Sequence, residues 1–147
     1  MKPLIALLFV VFLAPSPAAA GERHLFILSG QSNMAGLKPE AAFLPELKKL
    51  LPDDDIQHVK FAKGGQPIRK WVPTWDKIAA KSDLKPRKDP GAFYEQVLKL
   101  AKENIAEGKP KTITFFWMQG ERDGKEKLSA AYEESMKTLI ANLRKDL

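Results

Sequence analysis

The sequence predicts an α/β fold in which helices pack on a parallel sheet, and two observations carry that expectation. Apolar runs at 24–29, 56–62 and 112–118 alternate with helix-period segments in the order β-α-β-α-β-α, and such alternation implies parallel strands joined by right-handed crossovers. Each apolar run also ends in a turn rich in glycine and polar groups. These turns are Gly30-Gln31-Ser32-Asn33-Met34-Ala35-Gly36, Lys63-Gly64-Gly65-Gln66-Pro67-Ile68 and Gln119-Gly120-Glu121-Arg122-Asp123. In open parallel sheets ligands bind outside the carboxyl ends of the strands, so the three turns are expected to share one rim.

The chain of 147 residues has room for one domain. A lysine at position 2, an apolar run over Leu4 to Leu13 and Ala18-Ala19-Ala20 before Gly21 read as a secretory signal peptide over residues 1–20. The run is too short and wrongly flanked for a membrane span. Export to the periplasm or the medium is expected, and residues 21–147 remain as the domain. The absence of cysteine excludes disulfides, thiolate metal sites and a cysteine nucleophile. A formal charge of +6 is modestly basic. Lys77, Lys81, Lys85, Arg87 and Lys88 are read as a solvated loop, and no nucleic-acid recognition motif accompanies them.

The first strand, His24 to Ser29, is apolar on both faces, as a central strand covered by helices above and below should be. Pro45 then opens a short helix with Leu47, Leu50 and Leu51 on one face, closed by Pro52-Asp53-Asp54-Asp55. The second strand, Ile56 to Ala62, interleaves Gln57, His58 and Lys60 with Val59 and Phe61, which suits a sheet edge. Residues 63–90 read as a long irregular loop whose Trp71 and Trp75 serve either as a sugar platform or as pins into the core. A helix is expected from Asp89 and Pro90 onward, with Phe93, Val97, Leu100, Ala101 and Ile105 inward, ending at Gly108 and Pro110. Thr112 to Met118 forms the third strand, and Leu128, Tyr132, Met136, Leu139 and Leu143 mark a last amphipathic helix.

Ser32 is the candidate nucleophile. Taken alone, a serine after a strand is more often a helix cap, and the segment is not the Gly-x-Ser-x-Gly elbow of α/β-hydrolases, because Met34 stands where the second glycine belongs. The three blocks Gly-Gln-Ser-Asn-Met (30–34), Gly-Gly-Gln-Pro-Ile (64–68) and Trp-Met-Gln-Gly-Glu-Arg-Asp (117–123) together resemble the sialate O-acetylesterase and acetylxylan esterase branch of the SGNH hydrolase superfamily. The resemblance covers residues 24–147. It implies a three-layer flavodoxin-like sheet, a serine esterase acting on acetylated carbohydrate and an oxyanion hole built from Ser32, Gly65 and Gln119. It implies no cofactor and no metal. Gln31, Asn33, Gly64, Glu121 and Asp123 are supporting candidates. Glu121 and Asp123 could be taken for a carboxylate pair of the glycosidase kind, but Glu121 is preferred as a buried brace accepting N–H bonds from the serine loop. Asp123 is read either as part of the site or as a cap near the last helix, and Arg122 as solvent-facing or paired with Asp123.

One element of the family pattern is missing. The resemblance implies a general base in an Asp-x-x-His block after a further strand, and the 147 residues contain only His24 and His58. His24 is expected about 16 Å, and His58 about 10 Å or more, from the carboxyl end of its strand, so neither reaches Ser32. The sequence therefore reads as an amino-terminal portion, incomplete at the carboxyl end, with nucleophile and oxyanion hole but no base. A non-catalytic carbohydrate-binding relic of the same pocket is the alternative, and a basic interaction module a third. In the order 2-1-3-4-5 the third strand would lack its outer neighbour, so self-association through that strand is expected.

Overall fold

The computed structural model describes residues 21–147; the leader assigned to residues 1–20 lies outside them. Three parallel strands, β1 (Arg23–Gly30), β2 (Asp55–Ala62) and β3 (Thr112–Met118), form a sheet in the order β2-β1-β3. The architecture is α/β, as the alternation of periods requires, and it has the strand order of the flavodoxin-like class. From Leu25 to Gly30 every residue of β1 is buried, because this strand is paired on both edges and covered on both faces.

Side-chain alternation divides the two faces. Leu25 and Ile27 point into the main core, which Trp71, Trp75, Val97, Ala101, Leu139 and Leu143 complete from helices α3 (Trp75–Lys81), α4 (Tyr94–Glu107) and α6 (Tyr132–Asp146) and the 3-10 turn Ile68–Trp71. On the other face Phe26 meets Phe43, at the start of α2 (Phe43–Leu50), edge-on at 5.8 Å, and both pack on Phe116. Leu50 was expected inward with Leu47 and Leu51, but it is 75% exposed. The helix starts at Phe43, two residues before Pro45, so Phe43 supplies its inward contact and turns Leu50 away.

The segment read as an irregular loop holds a 3-10 turn and α3. Trp71 and Trp75 are fully buried, which excludes a sugar platform and leaves the pinning role. Trp71 lies edge-on to Phe93 and Trp117 at 5.0 and 5.1 Å, and its Nε1 donates to Ser29 Oγ at 2.9 Å. Ser29 Oγ in turn donates to Phe61 O at 2.7 Å. Lys77, Lys81, Lys85, Arg87 and Lys88 are exposed, as a solvated loop requires. The helix expected from Pro90 begins instead at Tyr94, because Asp89 and Gly91 have φ of +55° and +71°, values that no right-handed helix accommodates.

Among the described residues β3 is paired on one side only, and Ile113, Phe116 and Met118 are 37–39% exposed along it. Beside it an apolar groove of about 500 Å³ runs between β3 and α6, lined by Ile113, Phe115, Ile140, Leu143 and Leu147. An uncharged edge without proline is a template for further pairing. The chain is therefore expected to self-associate, and Ile113→Lys to reduce that, because a charge on an edge strand opposes edge-to-edge pairing. Size-exclusion chromatography with light scattering reads both. A monodisperse monomer of the unsubstituted chain would refute the expectation.

Candidate active site

The sheet register sets the site. Gly30 lies opposite both Ala62 and Met118, so three loops leave the sheet side by side at its carboxyl end. Two backbone bonds lock the exits: Gln31 N donates to Met118 O at 2.9 Å and Lys63 N to Gly30 O at 3.1 Å. Gly30 itself is at φ +145°, and a Cβ there would lie 2.1 Å from Met118 O. Only glycine permits β1 and β3 to approach this closely.

Ser32 opens the five-residue helix α1 (Ser32–Gly36) and is exposed. Its neighbour across the gap is Gly64, where an added Cβ would stand 3.9 Å from Ser32 Cβ. Gly65, at φ +67°, faces open space. The backbone N–H groups of Ser32, Gly64 and Gly65 donate to no protein acceptor among the described residues. The serine loop is held from below by Met34, which is buried, and by Lys60, whose Nζ donates to Ala35 O at 3.0 Å and to Leu37 O. Patterning alone places Lys60 only on a sheet edge; in the structure it caps the end of α1.

The third loop ties the other two together. Asn33 Nδ2 donates to Glu121 Oε1 at 2.8 Å, so Glu121 does brace the serine loop, but through a side-chain amide and from an exposed position. The buried brace is Asp123, in the short helix α5 (Glu121–Lys125), at 1% exposure. Its Oδ2 accepts the Ile68 N–H at 2.9 Å and an N–H of Gln119. Asp123 is thus not a cap of α6, and Arg122 pairs with Glu126 at 2.6 Å rather than with it. Burial pushes the Asp123 carboxyl above the usual carboxylate range, against the pull of the Gln119 and Ile68 hydrogen bonds.

Gln119 Nε2 also donates to Gln66 O at 3.0 Å and lies 3.3 Å from Gln31 Oε1. Gln31 is buried, and the same Oε1 accepts the Arg122 N–H at 3.3 Å. Tyr132 completes the frame by donating to Gln119 O at 2.6 Å and accepting from Trp117 Nε1 at 3.1 Å; burial raises its hydroxyl pKa. Sequence periodicity assigned Tyr132 only to an apolar helix face, and its position at the start of α6, near the third loop, was the available signal.

Both histidines are committed elsewhere. His24, at the amino end of β1, contacts Thr112 Oγ1 through Nδ1 at 2.7 Å and Asp54 Oδ2 through Nε2 at 3.1 Å. His58 Nε2 lies 3.4 Å from Glu40 and is level with Phe26 in the sheet. Among the described residues no group of three or more His, Asp or Glu is placed to hold a metal ion.

No curated protein matches the chain. A protein from Arabidopsis thaliana, known from an X-ray structure at 1.6 Å resolution, is similar in fold with a TM-score of 0.63, 22% identity, and coverage of 85% of this chain and 69% of that one. The sequence model of a carbohydrate esterase family, the sialic acid-specific acetylesterases, matches residues 36–147, a span that takes in the second and third loops and starts just after Ser32. The chain therefore belongs to the sialic acid-specific acetylesterase family of carbohydrate esterases.

Proposed function

We propose that this chain carries the acyl-transfer half of a carbohydrate O-acetylesterase, with Ser32 as nucleophile toward acetyl esters of sugar hydroxyls. The observation that supports this best is the placement of Ser32 against Gly64, on a rim where the Ser32 and Gly65 N–H groups are unspent. Attack by Ser32 Oγ on the acetyl carbonyl moves charge onto its oxygen, where preorganised N–H donors lower the barrier. Ser32 and Gly65 supply two such donors. Gln119 supplies a third by turning one N–H from Gln66 O to the oxyanion. The sugar hydroxyl leaves, and water then releases acetate from the acyl-serine.

A serine hydroxyl needs a base to take its proton, and neither histidine is at the rim. That placement favours the second reading, a pocket that binds acetylated sugar without turning it over. Export through residues 1–20 fits an extracellular polysaccharide substrate. No helix among the described residues is long and apolar enough to cross a membrane.

Acetate release from O-acetylated xylan and O-acetylated sialic acid, with imidazole added as an external base, separates the readings. The esterase reading expects release above the protein-free control, lost in Ser32→Ala and reduced roughly 100- to 1000-fold in Gln119→Ala, as for the loss of one oxyanion donor. Saturable binding of the sugars with release no faster than the control would support the binding pocket instead.

A further inference from the structure

We propose that Asp123 is the positioning residue of this rim: its carboxylate holds one N–H of the Gln119 carboxamide and leaves the other to exchange between Gln66 O and the developing oxyanion. The proposal rests on the reading of Ser32 as an acyl-transfer nucleophile. Gln119 Nε2 has two hydrogens and three acceptors around it: Asp123 Oδ2, Gln66 O and Gln31 Oε1. The Gln31 oxygen is the most distant and already accepts from Arg122 N. Two hydrogens therefore go to Asp123 and Gln66, and of these the charge-assisted bond to a carboxylate is the stronger.

A carboxylate accepts only, so it also decides which end of the carboxamide faces it. Gln119 Oε1 and Asp123 Oδ1 are both buried with no hydrogen-bond partner among the described residues, so the contact between the two side chains runs through Nε2 and Oδ2. Asp123 Oδ2 takes the Ile68 N–H as well, so one oxygen fixes the second loop and the third together. Both donors are neutral amides. The charged and titratable groups around the carboxylate are Glu126 on its own helix side, which disfavours its ionisation, Arg69 from the second loop, which favours it, and Tyr132 from α6. Once Asp123 takes a proton it becomes a donor too, and the orientation of Gln119 is no longer dictated.

Nuclear magnetic resonance of the labelled chain tests this without relying on turnover. The Asp123 carboxyl carbon, the Gln119 Nε2 resonance and the Ile68 amide are expected to shift together with pH, at one shared midpoint above the ordinary carboxylate range. In Asp123→Asn the carbonyl oxygen can keep both bonds, so the displaced Gln119 and Ile68 resonances should persist while their pH dependence disappears. In Asp123→Ala both should move to the positions of free amides, with the amides of β1 unchanged. Labelling of Ser32 by a fluorophosphonate, with imidazole added as the external base, should slow in the alanine variant and be largely restored in the asparagine variant. Gln119 and Ile68 resonances that do not follow the Asp123 carbon, in a wild-type titration that needs no variant to fold, would overturn the anchor. Equal labelling rates in all three proteins would overturn its bearing on Ser32. An unreactive wild-type Ser32 would overturn the esterase reading instead, while the shared titration still reports on the anchor.

Discussion

Gly30→Ala is expected to destabilise the fold strongly. Its backbone at φ +145° is one that L side chains rarely adopt, and a Cβ would sit 2.1 Å from Met118 O and 2.7 Å from Met118 C. The obstruction is strand backbone, bonded in place by Gln31 N, so relief requires β1 and β3 to part at their carboxyl ends. A strained backbone alone costs about 1–3 kcal/mol, and the collision adds to it. Against a stability of about 5–15 kcal/mol for an ordinary domain, and about 4 °C of Tm per kcal/mol at this size, the melting temperature should fall by roughly 10 °C or more. Gly36→Ala is the control, since an added Cβ meets nothing within 4 Å there, and its thermal denaturation should match the parent. Equal melting curves for the two variants would contradict the close approach that brings the three loops together.

The second large effect is on turnover. A positioned general base is worth roughly 100- to 10000-fold, and neither histidine supplies one at Ser32: His24 is held by Thr112 and Asp54, and His58 faces Glu40. Hydrolysis of p-nitrophenyl acetate by the chain alone should therefore be at least about 100-fold slower than by serine esterases with a complete triad. The residual rate should be unchanged in His24→Ala and in His58→Ala. Loss of that rate on replacing either histidine would show that it reaches Ser32 and that the strand placements are wrong.

The sequence specified the strands well. The expected 112–118 is β3, Thr112–Met118, while β1 is one residue longer than expected at each end and β2 one residue longer at its start. Short runs of strand-forming residues, each followed by a glycine-containing turn, leave little freedom. The irregular stretch was harder for a physical reason. Trp71 and Trp75 carry no periodicity, and the indole N–H of the buried Trp71 is satisfied by Ser29 of β1, a relation across 42 residues that no local pattern encodes. The same holds for the carboxylates. Glu121 and Asp123 are two residues apart on a single turn of helix, so they face different ways, and sequence alone could not say which faces inward. Tertiary bonds from Ile68 and Gln119 select Asp123. Convergence of the three loops was legible because parallel pairing in register delivers every strand end to the same side.

The central claim is that the Ser32 rim is a site of acyl transfer. Mass spectrometry of the chain after incubation with a fluorophosphonate and imidazole tests it most directly. A single adduct on Ser32, absent from Ser32→Ala and slower to form in Gln119→Ala, is the predicted result. Adducts confined to lysine or tyrosine side chains, or formed as fast after Ser32→Ala, would contradict it.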